Sequence, residues 1–355
     1  MEPTAGSAQP DRRSQPHWVP GAEGAREAVS GDDPRGVRLP VAVDVSSTVG
    51  GDAPCAMRGW VRVPSPERAR ARPVVLACLA GGSCSTDYFD LTVDGHADTS
   101  MAAYLAARGF AVAALDHPGV GASDPVADVF ALTPTVVAAA HARAWREVIG
   151  GIDGLDGPPF LVGVGHSMGG MLATVAQARH RPFDALVGLG HGGDGLPEHL
   201  EREELELAHR PLEEVEAEIV ARARRRFAVP SPVERRRAPP NSFFAPDVPF
   251  AIRRAFAAQQ AQLLYTCGLT SMIPGSTDRE KAAIDVPLFL GFGDQDLIRD
   301  FAGSVAKYTG CRDATLYVLS DAAHCHNQAR TRVQLWDRLA RWIEVIVDRA
   351  DCDPG

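Results

Sequence analysis

The stretch FLVGVGHSMGGMLATVA, residues 160–176, sets a serine between one apolar run and another. Gly165-His166-Ser167-Met168-Gly169 has the spacing of a nucleophile elbow. A tight strand-to-helix turn pushes serine Oγ out of the backbone, and glycines on either side avoid collisions with neighbouring chain. A serine at that corner could instead cap the helix that follows. Capping accounts for the hydroxyl and leaves the flanking glycines without a reason, so the nucleophile is the stronger reading. A serine hydroxyl needs a base, and that base needs an orienting group. His324-Cys325-His326 raises a second chemistry, because H-x-H on a loop binds zinc in other folds. Two further ligands would then be required, and the chain lacks HExxH, HxHxDH and CxxC. No metal and no cofactor is therefore expected. Cys325 as a nucleophile is set aside too, since nothing in the sequence builds a thiolate site around it.

These side chains need a scaffold, and the chain has the pattern of one. PVVLACLA (73–80), FAVAALD (110–116), FLVGVG (160–165), ALVGLG (185–190), PLFLGFG (287–293) and ATLYVLS (314–320) are short continuous apolar runs, as expected of strands buried on both faces of a parallel sheet. Helix-like stretches alternate with them at residues 100–108, 134–149, 168–180, 300–308 and 329–347. This alternation predicts right-handed crossovers and a doubly wound α/β architecture. Ahead of it, residues 37–49 and 56–63 alternate and are rich in valine, which predicts two antiparallel strands joined near Gly50-Gly51. Between Gly190 and Pro287 the rhythm fails. Leu212, Val215 and Ile219 repeat at helical spacing and residues 249–264 form a second helix-like piece, with no convincing strand. Those apolar residues are too few for a separate core, so the insertion is expected to lie as a helical lid over the sheet's carboxyl edge.

The chain of 355 residues is long enough for one large α/β domain with an insertion. Its formal net charge of -9 disfavours nucleic acid or an anionic membrane as a partner and leaves a small-molecule substrate open. The basic cluster Arg222 to Arg226, continued at Arg235 to Arg237, follows an acidic run and reads as a solvated helical face. The 7 cysteines are scattered, odd in number and free of CxxC pairs, which points to a reducing compartment. No apolar signal-like segment occurs in residues 1–36 and no run is long enough to span a membrane. A cytoplasmic protein with a disordered tail over residues 1–36 is expected.

With its GHSMGG elbow, and with DHPGVGASD (116–124) after the fourth strand, the chain resembles serine esterases and lipases of the α/β-hydrolase fold over residues 72–346. The resemblance implies a mostly parallel central sheet flanked by helices, with a core at 37–190 and 285–349 and a lid at 191–284 after the sixth strand. It also implies the chain order serine, acid, histidine. Ser167 is then the nucleophile, Asp296 of GFGDQD the acid and His324 of SDAAHCHNQ the base. Asp294 and Asp194 are the rival acids. His326 is the rival base, expected to face elsewhere or toward the substrate. The oxyanion would be held by the amides of Met168 and of Gly82 or Ser83, with Gly82 favoured. Many relatives have His-Gly where this chain has Ala80-Gly81. The implied activity is cleavage of a carboxylic ester of a small or medium apolar substrate through an acyl-enzyme. Phe243, Phe244, Phe250, Phe256, Leu263, Leu264 and Tyr265 are expected to help form an apolar pocket. An acyltransferase, thioesterase, lactonase or C–C bond hydrolase would use the same triad. A ligand-binding relative with an eroded triad is the non-enzyme alternative, and the presence of Ser, Asp and His in the implied order argues against it.

Overall fold

The computed structural model describes residues 33–51, 53–151, 158–227 and 243–352. Most of the expected tail, residues 1–32, and the basic cluster at Arg235 to Arg237 lie outside them. Eight strands form one sheet in the order β1-β2-β4-β3-β5-β6-β7-β8. They are β1 Val37–Asp44, β2 Ala56–Val63, β3 Val74–Leu79, β4 Ala111–Leu115, β5 Phe160–His166, β6 Ala185–Leu189, β7 Leu288–Gly293 and β8 Ala314–Leu319. β2 runs antiparallel to both of its neighbours, and from β4 to β8 every pairing is parallel.

The continuous apolar runs are explained by two cores. On one face Val75, Ala77 and Leu79 of β3 pack under α2 (Pro134–Gly151) and α3 (Met168–His180). On the other, Val74, Leu76 and Cys78 pack under α1 (Met101–Ala106) and the last helix. With both faces covered, neither parity of β3 residue can be polar.

The N-terminal pair differs from expectation at its turn. β1 stops at Asp44, whose carboxylate accepts the Ser46 amide at 2.9 Å, and Ser46–Val49 forms one helical turn before Gly50 and Gly51 at φ 74 and 99°. The Asx-type bond at Asp44 competes with the ladder and ends the strand early.

Between β6 and β7 lie α4 (Leu212–Phe227), α5 (Phe250–Ala258), α6 (Tyr265–Met272) and α7 (Asp278–Ala282). Leu212, Val215 and Ile219 are fully buried and join the core under α2 and α3, as do Leu264, Cys267 and Leu269. Glu213, Glu214, Arg224 and Arg225 of α4 face solvent, as expected of a solvated face, but Arg222 is largely buried where it pairs with Glu218, and Arg226 turns onto the buried Glu204. A small cluster of Ala245, Val248 and Ile252 packs on Leu91. The helix expected over 249–264 stops at Ala258. Beyond it Gln260 forms an antiparallel bridge with Cys84, and the Ala261 amide donates to Ser83 O at 3.0 Å. The chain closes with α8 (Phe301–Ala306) and α9 (Arg332–Cys352).

Candidate active site

Ser167 stands between β5 and α3 in the middle of the sheet, at φ 53° and ψ -122°. A positive φ is costly for a residue with a Cβ, on the order of 1–3 kcal/mol, and persists only where its surroundings enforce it. Here they do. The Ser167 amide donates to Leu189 O at 2.8 Å, and Ser167 O accepts the amides of Gly170 and Met171. A Cβ on Gly165 would lie 2.3 Å from Gly169 O, and one on Gly169 would lie 2.1 Å from Leu79 O. The two glycines of the motif therefore exist because helix, strand and turn meet with no room for a methyl. Although Ser167 is the N-cap residue of α3, its side chain makes no capping bond. Helix capping does not explain this serine.

Asp296 follows β7 and His324 follows β8, so both candidates emerge from the same carboxyl edge as Ser167. His324 Nδ1–H donates to Asp296 Oδ1 at 2.7 Å. The carboxylate is buried and also takes the amides of Leu297 at 2.7 Å and Gly293 at 3.3 Å. Burial alone would raise its pKa, but the two imidazoles on its oxygens hold it well below the usual carboxylate range. The second imidazole is His326, whose Nε2–H donates to Oδ2 at 2.8 Å. The expectation that His326 faces elsewhere is thus corrected. Its amide bonds back to His324 O at 3.1 Å at the start of a 3-10 turn, and this three-residue turn brings both rings to one carboxylate.

The rival acids are engaged differently. Asp294 accepts the amides of Asp321 and Ala322 at 3.0 and 3.1 Å, pinning the loop after β7 to the loop after β8. Asp194 pairs with Lys307 at 3.3 Å. Cys325 is buried, and burial pushes its thiol well up, which keeps it protonated. Among the described residues no cluster of three or more His, Cys, Asp or Glu is arranged to hold a metal ion.

Two further residues shape the site and were not singled out from the sequence. His166 Nε2–H donates to His324 O at 2.9 Å while Tyr88 stacks on its ring at 4.3 Å. Gly190, at φ 64° at the end of β6, would place a Cβ 3.0 Å from Cε1 of both His324 and His326. The glycine that closes the apolar run ALVGLG was the available signal for the second.

The loop after β3 lies over the elbow. A Cβ on Gly81 would be 3.2 Å from that of Ser167, and one on Gly82 would be 4.0 Å from Met168 Sδ. Ser83, at φ 59°, turns the chain, and its carbonyl is held by Ala261. Around this loop, the Phe243 ring meets His324 edge-on at 5.6 Å and Leu263 reaches Gly82. Tyr265 is stacked between Phe130 and Phe227, and Phe244 packs on Phe256. Leu264 is in the core, and Phe250 is 78% exposed, so neither lines a pocket here.

Residues 74–334 match the alpha/beta hydrolase family. The chain belongs to that family. At that level it is a hydrolase, and the strand order, crossovers and elbow are those of an alpha/beta hydrolase fold. Among solved structures it is similar to an esterase from Exiguobacterium antarcticum, with TM-score 0.55, 14% identity, and 81% of this chain and 96% of that one covered. A thermophilic esterase from Thermogutta terrifontis gives TM-score 0.52 and 17% identity, covering 86% and 98%. A bromoperoxidase from Bacillus anthracis gives TM-score 0.53 and 15% identity, covering 82% and 97%. Likeness at such identities speaks for the fold alone. No curated protein matches the sequence.

Proposed function

We propose that this alpha/beta hydrolase cleaves a carboxylic ester of a small or medium apolar substrate through an acyl-enzyme on Ser167. The observation that carries the reading is the buried His324–Asp296 bond at 2.7 Å, on the same sheet edge as a serine held at φ 53° with no capping role. Asp296 fixes His324 with its proton on Nδ1, which leaves Nε2 as the base. Nε2 takes the Ser167 proton as Oγ attacks the ester carbonyl. The amides of Met168 and Gly82 hold the oxyanion, and the alcohol leaves with the proton from His324. A water activated by the same nitrogen then releases the acid. Gly82 is favoured over Ser83 because it lies against Met168 and the Ser83 backbone turns away toward the insertion.

In this reading residues 191–284 act as a lid over the core at 37–190 and 285–349. The contacts of Leu263 and Phe243 with the Gly82 and His324 loops, together with the Cys84–Gln260 bridge, support that role. The substrate is a small molecule and no cofactor takes part. All 7 cysteines are free thiols, which fits a reducing, cytoplasmic setting.

The test is labelling by a fluorophosphonate, read by intact mass, with turnover of p-nitrophenyl esters of increasing chain length. Wild type should gain one adduct and hydrolyse the esters. Ser167→Ala should gain none, lose about 10⁴ to 10⁶ in rate and keep its melting temperature. A Ser167→Ala variant with a tenth of wild-type activity would refute the nucleophile.

A further inference from the structure

A second pair of histidines lies behind the loop after β3. His117 follows Asp116 in the loop after β4, His141 sits on α2, and both side chains are buried. His117 Nε2 lies 3.0 Å from Ala80 O, and His117 Nδ1 lies 2.7 Å from His141 Nε2. A carbonyl only accepts, so the His117 proton is on Nε2. Burial drives both imidazoles toward the neutral form, with His117 brought down to about 4, so His117 Nδ1 is a bare acceptor and His141 supplies the Nε2–H. The His141 Nδ1 that remains is buried without a partner, as an unprotonated nitrogen facing apolar surroundings would be. His141 is held in turn by stacking on Trp145 at 5.9 Å. The result is a directed chain from His141 through His117 to a single backbone carbonyl.

That carbonyl immediately precedes Gly81 and Gly82. Ala80 has no side chain able to fix the loop, and Gly81 and Gly82 resist bending less than any other pair of residues would. Its carbonyl also faces the start of α3, where a Cβ on Gly169 would lie 2.5 Å from it. Asp116 reinforces the hold by accepting the Thr86 amide at 2.8 Å farther along the same loop.

We propose that His117, locked as its Nε2–H tautomer by His141, is a positioning residue that fixes the Ala80–Gly82 backbone so that the Gly82 amide meets the oxyanion. The role rests on the acyl-enzyme reading given above. It touches neither substrate nor Ser167, and its effect is confined to the state in which negative charge develops on the substrate oxygen.

The test compares His117→Leu, which deletes the donor, with His117→Gln, whose amide can reach the same carbonyl. kcat and KM for a p-nitrophenyl ester are measured beside the inhibition constant of an alkyl boronic acid, which forms a tetrahedral adduct on the serine. His117→Leu should lower kcat about 10- to 100-fold with KM within about 2-fold, and should weaken the boronate in proportion to kcat. His117→Gln should stay within about 5-fold of wild type in all three. Equal losses in both variants, or a loss confined to KM or to melting temperature, would overturn the positioning role. Failure of wild type itself to bind boronate or fluorophosphonate would instead strike the acyl-enzyme reading. Imidazole nitrogen NMR of the wild-type protein needs no variant to fold. It should show Nε2-protonated neutral rings for both histidines at pH 7, and an Nδ1–H tautomer at His117 would overturn the proposal.

Discussion

Asp296 carries two imidazoles, and the neighbouring aspartates are occupied elsewhere, so single substitutions distinguish their duties. Asp296→Asn should lower kcat by about 10⁴, because an amide cannot both accept from His324 Nδ1–H and stabilise the imidazolium. Asp294→Asn should keep kcat within about 10-fold and lower the melting temperature instead, since its one amide oxygen can accept only one of the Asp321 and Ala322 amides and its NH2 faces the other. Steady-state ester kinetics and thermal melts decide this, and a crippled Asp194→Asn beside an active Asp296→Asn would move the acid to the loop after β6. The two histidines separate by burst kinetics. His324→Ala should abolish the p-nitrophenol burst, because acylation itself needs the base. His326→Ala should keep a burst slowed about 10-fold, as Asp296 Oδ2 retains the Gly293 amide but loses its imidazole. A dead His326→Ala beside a live His324→Ala would exchange their roles. Motif and chain order pointed to Ser167, Asp296 and His324 as the candidate triad, and the Asp296–His324 bond joins two of them. The sequence hid the second contact of His326, because a turn bond from its amide to His324 O decides where the ring points and no spacing rule encodes it.

The elbow depends on how closely α3 approaches the ends of β3 and β5. Gly169 is the tightest point, where a Cβ would sit 2.1 Å from Leu79 O and 2.5 Å from Ala80 O. These are backbone atoms of a buried strand end and cannot step aside as a side-chain tip could. Gly169→Ala should therefore cost on the order of 1–3 kcal/mol and displace the loop that carries Gly82, so that urea midpoint and kcat fall together. An unchanged midpoint would mean that the helix can back away from the sheet. Elements of this kind were well announced by sequence. The Met168–His180 helix has the expected bounds, and the six continuous apolar runs became β3 to β8 within a residue or two at each end. The insertion was legible where an amphipathic repeat is simple, as at Leu212, Val215 and Ile219, and in the first half of the helix expected over 249–264. α6 and α7 escaped because their burial follows contacts with the body. Thr266 and Thr270 of α6 are fully buried with their hydroxyls on backbone oxygens, and the buried Lys281 of α7 meets Gly192 O and the Asp278 carboxylate, so these residues give no hydrophobic pattern.

At the scale of the whole molecule, packing helices on both faces of the sheet buries titratable groups together. His117, His141, His166 and His191 all lie in the interior, and burial lowers the affinity of each for a proton, in His191 with help from Lys281. In the unfolded chain the same side chains protonate near 6.5. Between that value and the folded one the unfolded state binds more protons, so acid favours unfolding over this window. Stability is then fully present above about pH 6.5 and declines as pH falls, with the share of His117 lost by about pH 4. For that residue the full effect is on the order of 3 kcal/mol, at about 1.4 kcal/mol per unit. Asp296, held below the usual carboxylate range, adds loss with the same sign at still lower pH. Asp116, raised by burial, works the other way and offsets part of the decline in acid. Melting followed by circular dichroism should accordingly show a drop of roughly 5–10 °C from pH 7.5 to pH 5, given a shift of about 1.5 °C per kcal/mol for a chain of this size. His117→Gln should flatten the curve by its own share, because the amide does not titrate. A melting temperature that stayed level over those pH values would mean that these imidazoles are not neutral in the folded protein, and would remove the electrostatic basis for the His141–His117 chain.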